Sequence, residues 1–413
     1  MEKKEEFVFE KINKKSGIIL GERLKRKIKD NSMDSLFIAT ENISNIFSNS
    51  IIDNILSTWQ DNIIILDFKN EFYFRNHFTR KDIGKMMNFS EEDLHYNPFL
   101  FVGKTEDYFE RDIFREYTDV VTEMYEITEK YFKMDNTYKS YVIDLIISAI
   151  YFLKENKEKV SIENLINIFS SKKGPFERGA VKVLENTINV KIYKPIVNFL
   201  NLESYSAKDR IKSSIINILK IFENDDFYIS DDYENEEIKK IFDEEKYTLF
   251  ISLDSLKNKL SKVKIKFLIN QILKNRKRLK NKTLFILPDF EILNDIPELK
   301  EMLFYNEEHG KIKLLLAGNI LNLLELEENI LEKRKTILDS ESFKKLKKLK
   351  YFKRFSIGEK LEKHELLYIN NSIPIKINRI NCKYEEKYVI KQCLKYTIII
   401  LLICLYSNLR FNF

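Results

Sequence analysis

Glycine and proline are scarce in this sequence, with 9 and 6 residues in a chain of 413. Both residues shape turns, so their scarcity leaves little room for long flexible linkers or for an all-β fold with many tight turns. Cysteine is scarcer still, and Cys382, Cys393 and Cys404 all lie near the carboxyl end. They lack the paired spacing of a zinc site, and their odd number argues against a disulfide framework. A reducing cytoplasm is therefore the expected compartment.

Long hydrophobic runs are missing as well. The opening residues, MEKKEEFVFEKINKK, contain no apolar core of a signal peptide, so none is predicted. The one membrane-like stretch, YTIIILLICLY at 396–406, is shorter than the roughly 18 apolar residues that span a bilayer. It fits either a buried terminal helix or strand, or a segment that lies on a membrane surface. We predict no transmembrane span in this chain.

The chain does contain enough apolar residues for a sizeable core, at 44%, and 32% charged residues for a solvated surface. Its length exceeds that of one average domain, which favours two structural units. The net charge of +6 is mildly basic. Such a charge permits contact with nucleic acid or an anionic membrane without requiring it.

The hydrophobic pattern predicts a parallel α/β sheet. Apolar runs at 36–39 and 63–66 are typical of fully buried strands, and residues 50–59 between them place an apolar stripe on one helix face. Strand, helix and strand in this order form a βαβ unit. Helical periodicity dominates from 105 to 205, and strand patterns return at 247–253, 283–287 and 312–317. We therefore predict a sheet split by an all-helical insertion.

The loop after the first of these strands has the position of a phosphate-binding loop but not its residues. In the G-x-x-x-x-G-K-[ST] frame, glycines allow close approach to phosphates, Lys neutralises them and Ser/Thr holds magnesium. Residues 39–46 read ATENISNI, so Ala39 and Ser44 replace the glycines, Asn45 the Lys and Ile46 the Ser/Thr. With Thr40, these residues form the candidate nucleotide loop. The alternative interpretation is an ordinary βα turn.

Charged residues follow two further candidate strands, those at 63–66 and 283–287. Asp67 and Lys69 stand where ligands bind in open α/β sheets, although plain surface charge is the competing interpretation. The stretch LFILPDFEIL at 284–293 is typical of an apolar strand that ends in acids, where a Walker B motif binds magnesium and activates water. Here Pro288 occupies the position of the metal-binding Asp, and Asp289 that of the catalytic Glu.

Asn319 follows the strand at 312–317 and either senses a γ-phosphate or caps a helix. We predict no set of metal ligands from these positions. Basic clusters at 274–282 (KNRKRLKNK) and 344–354 (KKLKKLKYFKR) complete the candidate features. Lysine and arginine bind nucleic-acid phosphates without regard to sequence, and aromatic residues in the second cluster could stack on bases. Solvated surface faces are the alternative interpretation of both clusters.

The order of these segments resembles the TraG-type coupling protein family of conjugation and type IV secretion. Asp67, Lys69 and Glu71 fit the D-x-K-x-E element of that family, and residues 284–316 resemble its acid-ended strand, the helix after it and a Gly-containing turn. Other matching segments are GIILG at 17–21, the strand–loop–helix at 36–59, YNP at 96–98, DRIKSS at 209–214, and ELLYI at 365–369 with PI at 374–375.

The resemblance implies a RecA-like P-loop NTPase core of the α/β class, with a mostly parallel sheet flanked by helices, and an inserted all-α domain. The expected divisions of this chain are a charged N-terminal segment at 1–16, the first half of the nucleotide-binding domain at 17–104, the all-α domain at 105–205, the second half at 206–387 and an apolar tail at 388–413.

The resemblance also implies ATP and magnesium as cofactors, and single-stranded DNA in a relaxase complex and the secretion channel as partners. It implies a homo- or hetero-hexamer, located in the cytoplasm and peripheral to the inner membrane. Asn45 and Pro288 depart from the family pattern. We therefore predict a coupling-protein homologue with reduced or absent ATP hydrolysis. The alternatives are an active ATP-driven DNA translocase that uses Lys69 or a neighbouring subunit's Arg, and a non-functional relic of a mobile element.

Overall fold

The structure is a computed structural model of the whole chain. It describes residues 18–24, 26–30, 32–40, 46–67, 71–89, 97–102, 110–132, 134, 136–169, 176–223, 240–242, 245–252, 259–288, 296–304, 311–319, 335–348, 361, 365–370 and 373–378.

Eleven strands form one sheet in these parts of the chain. They are β1 (Ile18–Arg23), β2 (Arg26–Asp30), β3 (Leu36–Ala39), β4 (Asn62–Asp67), β5 (Lys85–Phe89), β6 (Tyr247–Ser252), β7 (Thr283–Leu287), β8 (Ile312–Gly318), β9 (Lys335–Leu338), β10 (Glu365–Asn370) and β11 (Ile373–Asn378).

Eleven α-helices accompany the sheet in the same described residues. They are α1 (Ile46–Thr58), α2 (Glu71–Lys81), α3 (Glu110–Phe132), α4 (Lys139–Glu155), α5 (Ile162–Phe169), α6 (Phe176–Glu185), α7 (Val190–Leu200), α8 (Tyr205–Ile221), α9 (Lys259–Lys274), α10 (Pro297–Phe304) and α11 (Ser340–Lys348). No helix in the described ranges is long and apolar enough to cross a membrane.

The sheet is parallel through its centre and antiparallel at one side. Its strand order is β2-β1-β11-β10-β9-β3-β8-β7-β4-β6-β5. Every neighbouring pair from β9 to β5 is parallel, whereas β9 and β10, the β10–β11 hairpin and the β1–β2 hairpin pair antiparallel. The mostly parallel sheet predicted from the apolar runs is therefore confirmed.

The central strands are buried on both faces. Ile63 and Ile65 of β4 contact a core cluster that includes the apolar stripe of α1, whereas Ile64 and Leu66 contact a second, larger cluster. Successive side chains of a strand point to opposite faces, so a strand covered on both sides needs an unbroken apolar run. This is why NIIILD, LFIA and TLFIL were readable as strands, and why all of their residues are buried.

The helices α3 to α8 occupy the chain between β5 and β6, which are neighbours in the sheet. No strand occurs among the described residues of this stretch. The strands described within 36–67 and 247–318, on either side of it, belong to one sheet, as the predicted split sheet requires. The division into domains at 104/105 and 205/206 stays a prediction. The tail at 388–413 and the segment at 1–16 lie outside the described residues.

Candidate nucleotide site

The predicted site residues meet where the parallel strands end, because the strands that precede these residues are neighbours in the sheet. We call this side of the sheet its carboxyl edge. Ala39 at the end of β3 pairs with Gly318 at the end of β8 and with Leu338 at the end of β9. Leu287 of β7 pairs with Leu316 of β8, so Pro288 lies at the same edge. Ligands of open α/β sheets bind outside these carboxyl ends.

The start of the candidate loop is held by backbone hydrogen bonds between neighbouring strands. The N–H of Thr40 donates to the carbonyl of Gly318 at 3.0 Å, and the N–H of Asp339 donates to the carbonyl of Ala39 at 3.4 Å. Ala39 and Thr40 are both fully buried. Helix α1 begins at Ile46, so a strand and a helix flank the loop as predicted. Ser44 and Asn45 lie outside the described residues.

Asp67 caps a helix. Its Oδ1 accepts from the N–H of Phe72 at 3.1 Å and its Oδ2 from the N–H of Tyr73 at 2.7 Å, so both oxygens bind the first turn of α2. A carboxylate at this position satisfies amides that have no partner within the helix and interacts favourably with the helix dipole. Burial raises the pKa of the Asp67 carboxyl, and the hydrogen bonds from Tyr73 and Phe72 oppose that rise. Lys69 lies outside the described residues.

Pro288 is a buried residue directly after β7, and its side chain offers no atom that could bind a metal. Asp289, the residue after it, lies outside the described residues. Asn319 is half-buried at the end of β8. The part of the chain that the structure describes contains no group of three His, Cys, Asp or Glu side chains that could hold a metal ion.

Sequence reasoning missed one acid at this edge, Asp339. It is buried after β9, and its Oδ1 accepts from the N–H of Ser342 at 2.7 Å at the start of α11. The signal in the sequence is the acidic residue three positions ahead of a serine at the start of an amphipathic helix, which is typical of an N-cap. Asp339, like Asp67, therefore accepts a hydrogen bond from an N–H group in the first turn of a helix.

The basic cluster at 274–282 lies at the opposite edge, before β7. Lys274 forms an ion pair with Glu123, and Arg276 pairs with Glu298 at 3.1 Å. Arg278 donates to the carbonyl of Phe101 at 2.9 Å. Three of the basic residues thus hold neighbouring elements together. In the second cluster, residues 349–354 lie outside the described residues.

The mixed, centrally parallel sheet with flanking helices, and the strand–loop–helix at 36–58, define the class of RecA-like P-loop NTPase folds. Within that class, the chain belongs to the family of the type IV secretory system that serves conjugative DNA transfer, whose family model matches residues 49–346. The resemblance and the fold class inferred from the sequence are both confirmed. Among curated proteins, none matches this sequence.

Solved structures give the same fold at low sequence identity. The bacterial conjugative coupling protein TrwBdeltaN70, in a trigonal form with sulphate, is 12% identical with a TM-score of 0.52, covering 86% of this chain and 87% of that one. VirB4 of Thermoanaerobacter pseudethanolicus is 13% identical with a TM-score of 0.52, covering 91% and 99%. The plasmid coupling protein TrwB in complex with ADPNP is 12% identical with a TM-score of 0.51, covering 85% and 86%.

Proposed function

We propose that this protein is a coupling protein of conjugative DNA transfer that hydrolyses ATP weakly or not at all. Membership in the conjugative DNA-transfer family supports the role in transfer. The observation that carries the loss of hydrolysis is Pro288, buried at the carboxyl end of β7 where the resemblance expects the magnesium-binding acid. A proline ring supplies no ligand for a metal ion, and this strand end lies between β4 and β8 in the sheet.

The phosphate loop argues in the same direction. Asn45 stands where the family has the lysine that neutralises the phosphates, and an amide carries no charge. Ile46 replaces the hydroxyl that would bind magnesium. Two acids of this edge that the structure describes, Asp67 and Asp339, accept hydrogen bonds from backbone N–H groups at the starts of α2 and α11. The fold of a nucleotide site is therefore kept while its charged groups are replaced.

In this role the protein acts as a non-hydrolysing subunit or adaptor beside an active paralogue, in a homo- or hetero-hexamer. Its partners are DNA, in a relaxase complex, and components of the secretion channel, at the cytoplasmic face of the inner membrane. The chain at 105–205, which contains the helices α3 to α7, forms a separate all-α domain. The family uses ATP and magnesium, and the plasmid coupling protein TrwB forms a complex with the ATP analogue ADPNP. Both ATP and magnesium bind this chain weakly.

The test is nucleotide binding and hydrolysis by the full chain and by a restored variant. We expect no magnesium-dependent binding of a fluorescent ATP analogue at micromolar concentration, and no DNA-stimulated release of phosphate. The triple variant Asn45→Lys, Ile46→Thr, Pro288→Asp restores the charge, the hydroxyl and the acid, and should gain magnesium-dependent binding. The matched control is Asn45→Gln, Ile46→Val, Pro288→Ala, which changes the same positions without adding these groups.

Tight magnesium-dependent binding and DNA-stimulated turnover by the unmodified chain would contradict the proposal and favour the active translocase. If neither the restored variant nor the unmodified chain binds nucleotide or DNA, the protein is a relic. Conjugation frequency of the mobile element with and without this gene separates the adaptor from the relic, because only the adaptor is needed for transfer.

A further inference from the structure

A set of lysines lies where the parallel strands begin, opposite the candidate nucleotide site. We call this side of the sheet its amino edge. The N–H of Thr283 donates to the carbonyl of Lys311 at 2.7 Å, and the N–H of Asn62 donates to the carbonyl of Lys282 at 3.1 Å. Lys311 and Lys282 therefore precede the adjacent strands β8 and β7 at the same level. Adjacent strands are about 4.8 Å apart, so these two lysines emerge side by side.

Hydrogen bonds and ion pairs divide the basic residues at 274–282 and Lys311 into two groups. Lys274, Arg276 and Arg278 bind Glu123, Glu298 and the carbonyl of Phe101, as described above. The second group is exposed and forms no ion pair with any carboxylate in the described part of the chain. We call this second group the basic edge, and it consists of Lys277, Lys280, Lys282 and Lys311.

The basic edge is held on a rigid support. The Nζ of Lys311 donates to the carbonyl of Lys280 at 2.6 Å, which links the segment before β7 to the start of β8. Leu279, between the lysines, is buried in the core. Arg278 also donates to Asn275 Oδ1 at 3.0 Å, which fixes the turn after α9. The backbone that carries the four charges is thus fixed on both sides.

Four lysines gathered with no acidic partner among the described residues repel one another. The carboxyl end of α9 offsets part of that repulsion, because a helix carries partial negative charge there, but the effect falls off within the last turn. Lys282 and Lys311 lie beyond that turn, at the starts of strands. Their charges remain available to an anionic partner.

We propose that the basic edge binds the phosphate backbone of DNA. The proposal rests on the role in DNA transfer given above and assigns the contact to a surface on the far side of the sheet from the nucleotide site. None of the exposed large hydrophobic side chains in the described residues lies at 277–282 or at 311. A membrane-binding surface would add such apolar or aromatic groups to its lysines, so phosphates of nucleic acid are the better fit.

The lack of exposed large hydrophobic side chains at 277–282 and 311 also determines the kind of DNA contact. Base stacking on proteins needs aromatic side chains, whereas phosphate contacts need only lysine or arginine. The basic edge therefore binds without sequence preference, and its affinity depends steeply on salt. Because it lies opposite the carboxyl ends of the strands, its affinity does not depend on added nucleotide.

The experiment measures binding of a fluorescent oligothymidylate to the full chain by anisotropy at several salt concentrations. The test variant replaces all four lysines of the basic edge with Gln. The matched control replaces four other exposed lysines with Gln. They lie in the helices between β5 and β6 or just after a helix end, and they are Lys157, Lys182, Lys194 and Lys220. Both variants remove the same charge from the chain.

We expect the test variant to bind at least about tenfold more weakly than the control, with a slope of log K against log salt that is shallower by about 3, as four lost phosphate contacts to a single strand imply. Equal affinities and equal salt slopes for the two variants would overturn the assignment of DNA binding to the basic edge. In that case, DNA binding by the unmodified chain would still support the role in transfer. No DNA binding by the unmodified chain would overturn both. Loss of binding to anionic phospholipid vesicles in the test variant, with DNA binding unchanged, would assign the edge to a membrane instead.

Discussion

At the scale of single residues, one buried charged side chain forms hydrogen bonds to several backbone carbonyls. Arg80, at the end of α2, is fully buried. Its guanidinium donates to the carbonyls of Leu56 at 3.1 Å, Trp59 at 2.5 Å and Asp61 at 3.0 Å, and to the hydroxyl of Thr248 at 2.7 Å. The carbonyls at the end of a helix have no partner within it, so Arg80 satisfies the end of α1 and the turn into β4.

Replacement of Arg80 by Met should therefore destabilise the protein strongly. The Met side chain fills a similar volume but leaves several buried carbonyls without a donor, and we expect a loss of about 3–5 kcal/mol in the free energy of unfolding. The measurement is urea unfolding followed by circular dichroism. Lys81→Met, at the exposed neighbouring position, is the control and should change stability by less than about 0.5 kcal/mol. Similar losses in both variants would show that Arg80 has no special role.

At the scale of elements, a buried ion cluster joins three strands at the amino edge. Asp30 ends β2, and its carboxylate accepts from Lys313 of β8 at 2.5 Å and from Lys335 of β9 at 3.0 Å. Lys335 also pairs with the exposed Asp34 at 3.0 Å. Burial alone would raise the pKa of Asp30, but the two ammonium groups outweigh burial and hold this pKa below its usual range.

The direction of that shift predicts acid sensitivity. Because the pKa of Asp30 is lower in the folded protein than its value of about 3.9 in the unfolded chain, the carboxylate contributes stability above that value. The contribution is lost as the pH falls below about 4 and through the folded pKa. We expect the urea midpoint of the unmodified protein to fall in this range, and that of Asp30→Asn to fall less. An equal pH dependence of the two proteins would contradict the prediction.

The control for the cluster is Asp34→Asn. Asp34 binds the same lysine but its side chain is 68% exposed, and exposed ion pairs contribute about 0–1 kcal/mol. At pH 7 Asp30→Asn should cost about 3 kcal/mol, because it leaves two lysines buried next to a neutral amide. A cost for Asp34→Asn as large as that for Asp30→Asn would indicate that burial of Asp30 is unimportant.

At the scale of the whole molecule, one buried acid connects the helices between β5 and β6 to the sheet. Glu123 of α3 accepts from Asn270 at 2.6 Å and from Gln271 at 2.8 Å, and it forms an ion pair with Lys274, all on α9. Asn270 also accepts from the N–H of Glu298 at the start of α10. Burial raises the pKa of Glu123, and these donors oppose the rise. The contact joins the helical group to the two helices that flank β7.

Replacement of Glu123 by Ala should loosen this junction before it affects the sheet. Three donors on α9 lose their acceptor, so we expect faster hydrogen exchange of amides in α3 and α9 while those of β4 and β7 stay protected. The control is Glu126→Ala on the same helix, since Glu126 is 57% exposed and pairs with Lys139 of α4. Uniformly faster exchange in both helices and strands would instead indicate one cooperative unit with no distinct junction.

The amino-acid sequence determined the central elements of the fold. Strands such as LFIA and NIIILD are buried on both faces, so their unbroken apolar runs identify them without any knowledge of their neighbours. The helical stretch between β5 and β6 was likewise predicted from periodicity. Strands β5 (KMMNF) and β9 (KTIL) were missed because they have short or polar-interrupted runs. Such strands exist through backbone pairing with neighbours that are distant in the chain.

For the site, the sequence alone determined which residues follow each strand, and therefore that Ala39, Pro288 and Asn319 would meet at one edge if the strands were parallel. Only the tertiary structure decided what the charged groups do. Asp67, a candidate ligand, accepts hydrogen bonds from the first turn of α2, and one basic run separated into residues that hold neighbouring elements together and three exposed lysines. The physical reason is that the partners that satisfy a charge come from other elements, and their positions follow from packing rather than from local spacing.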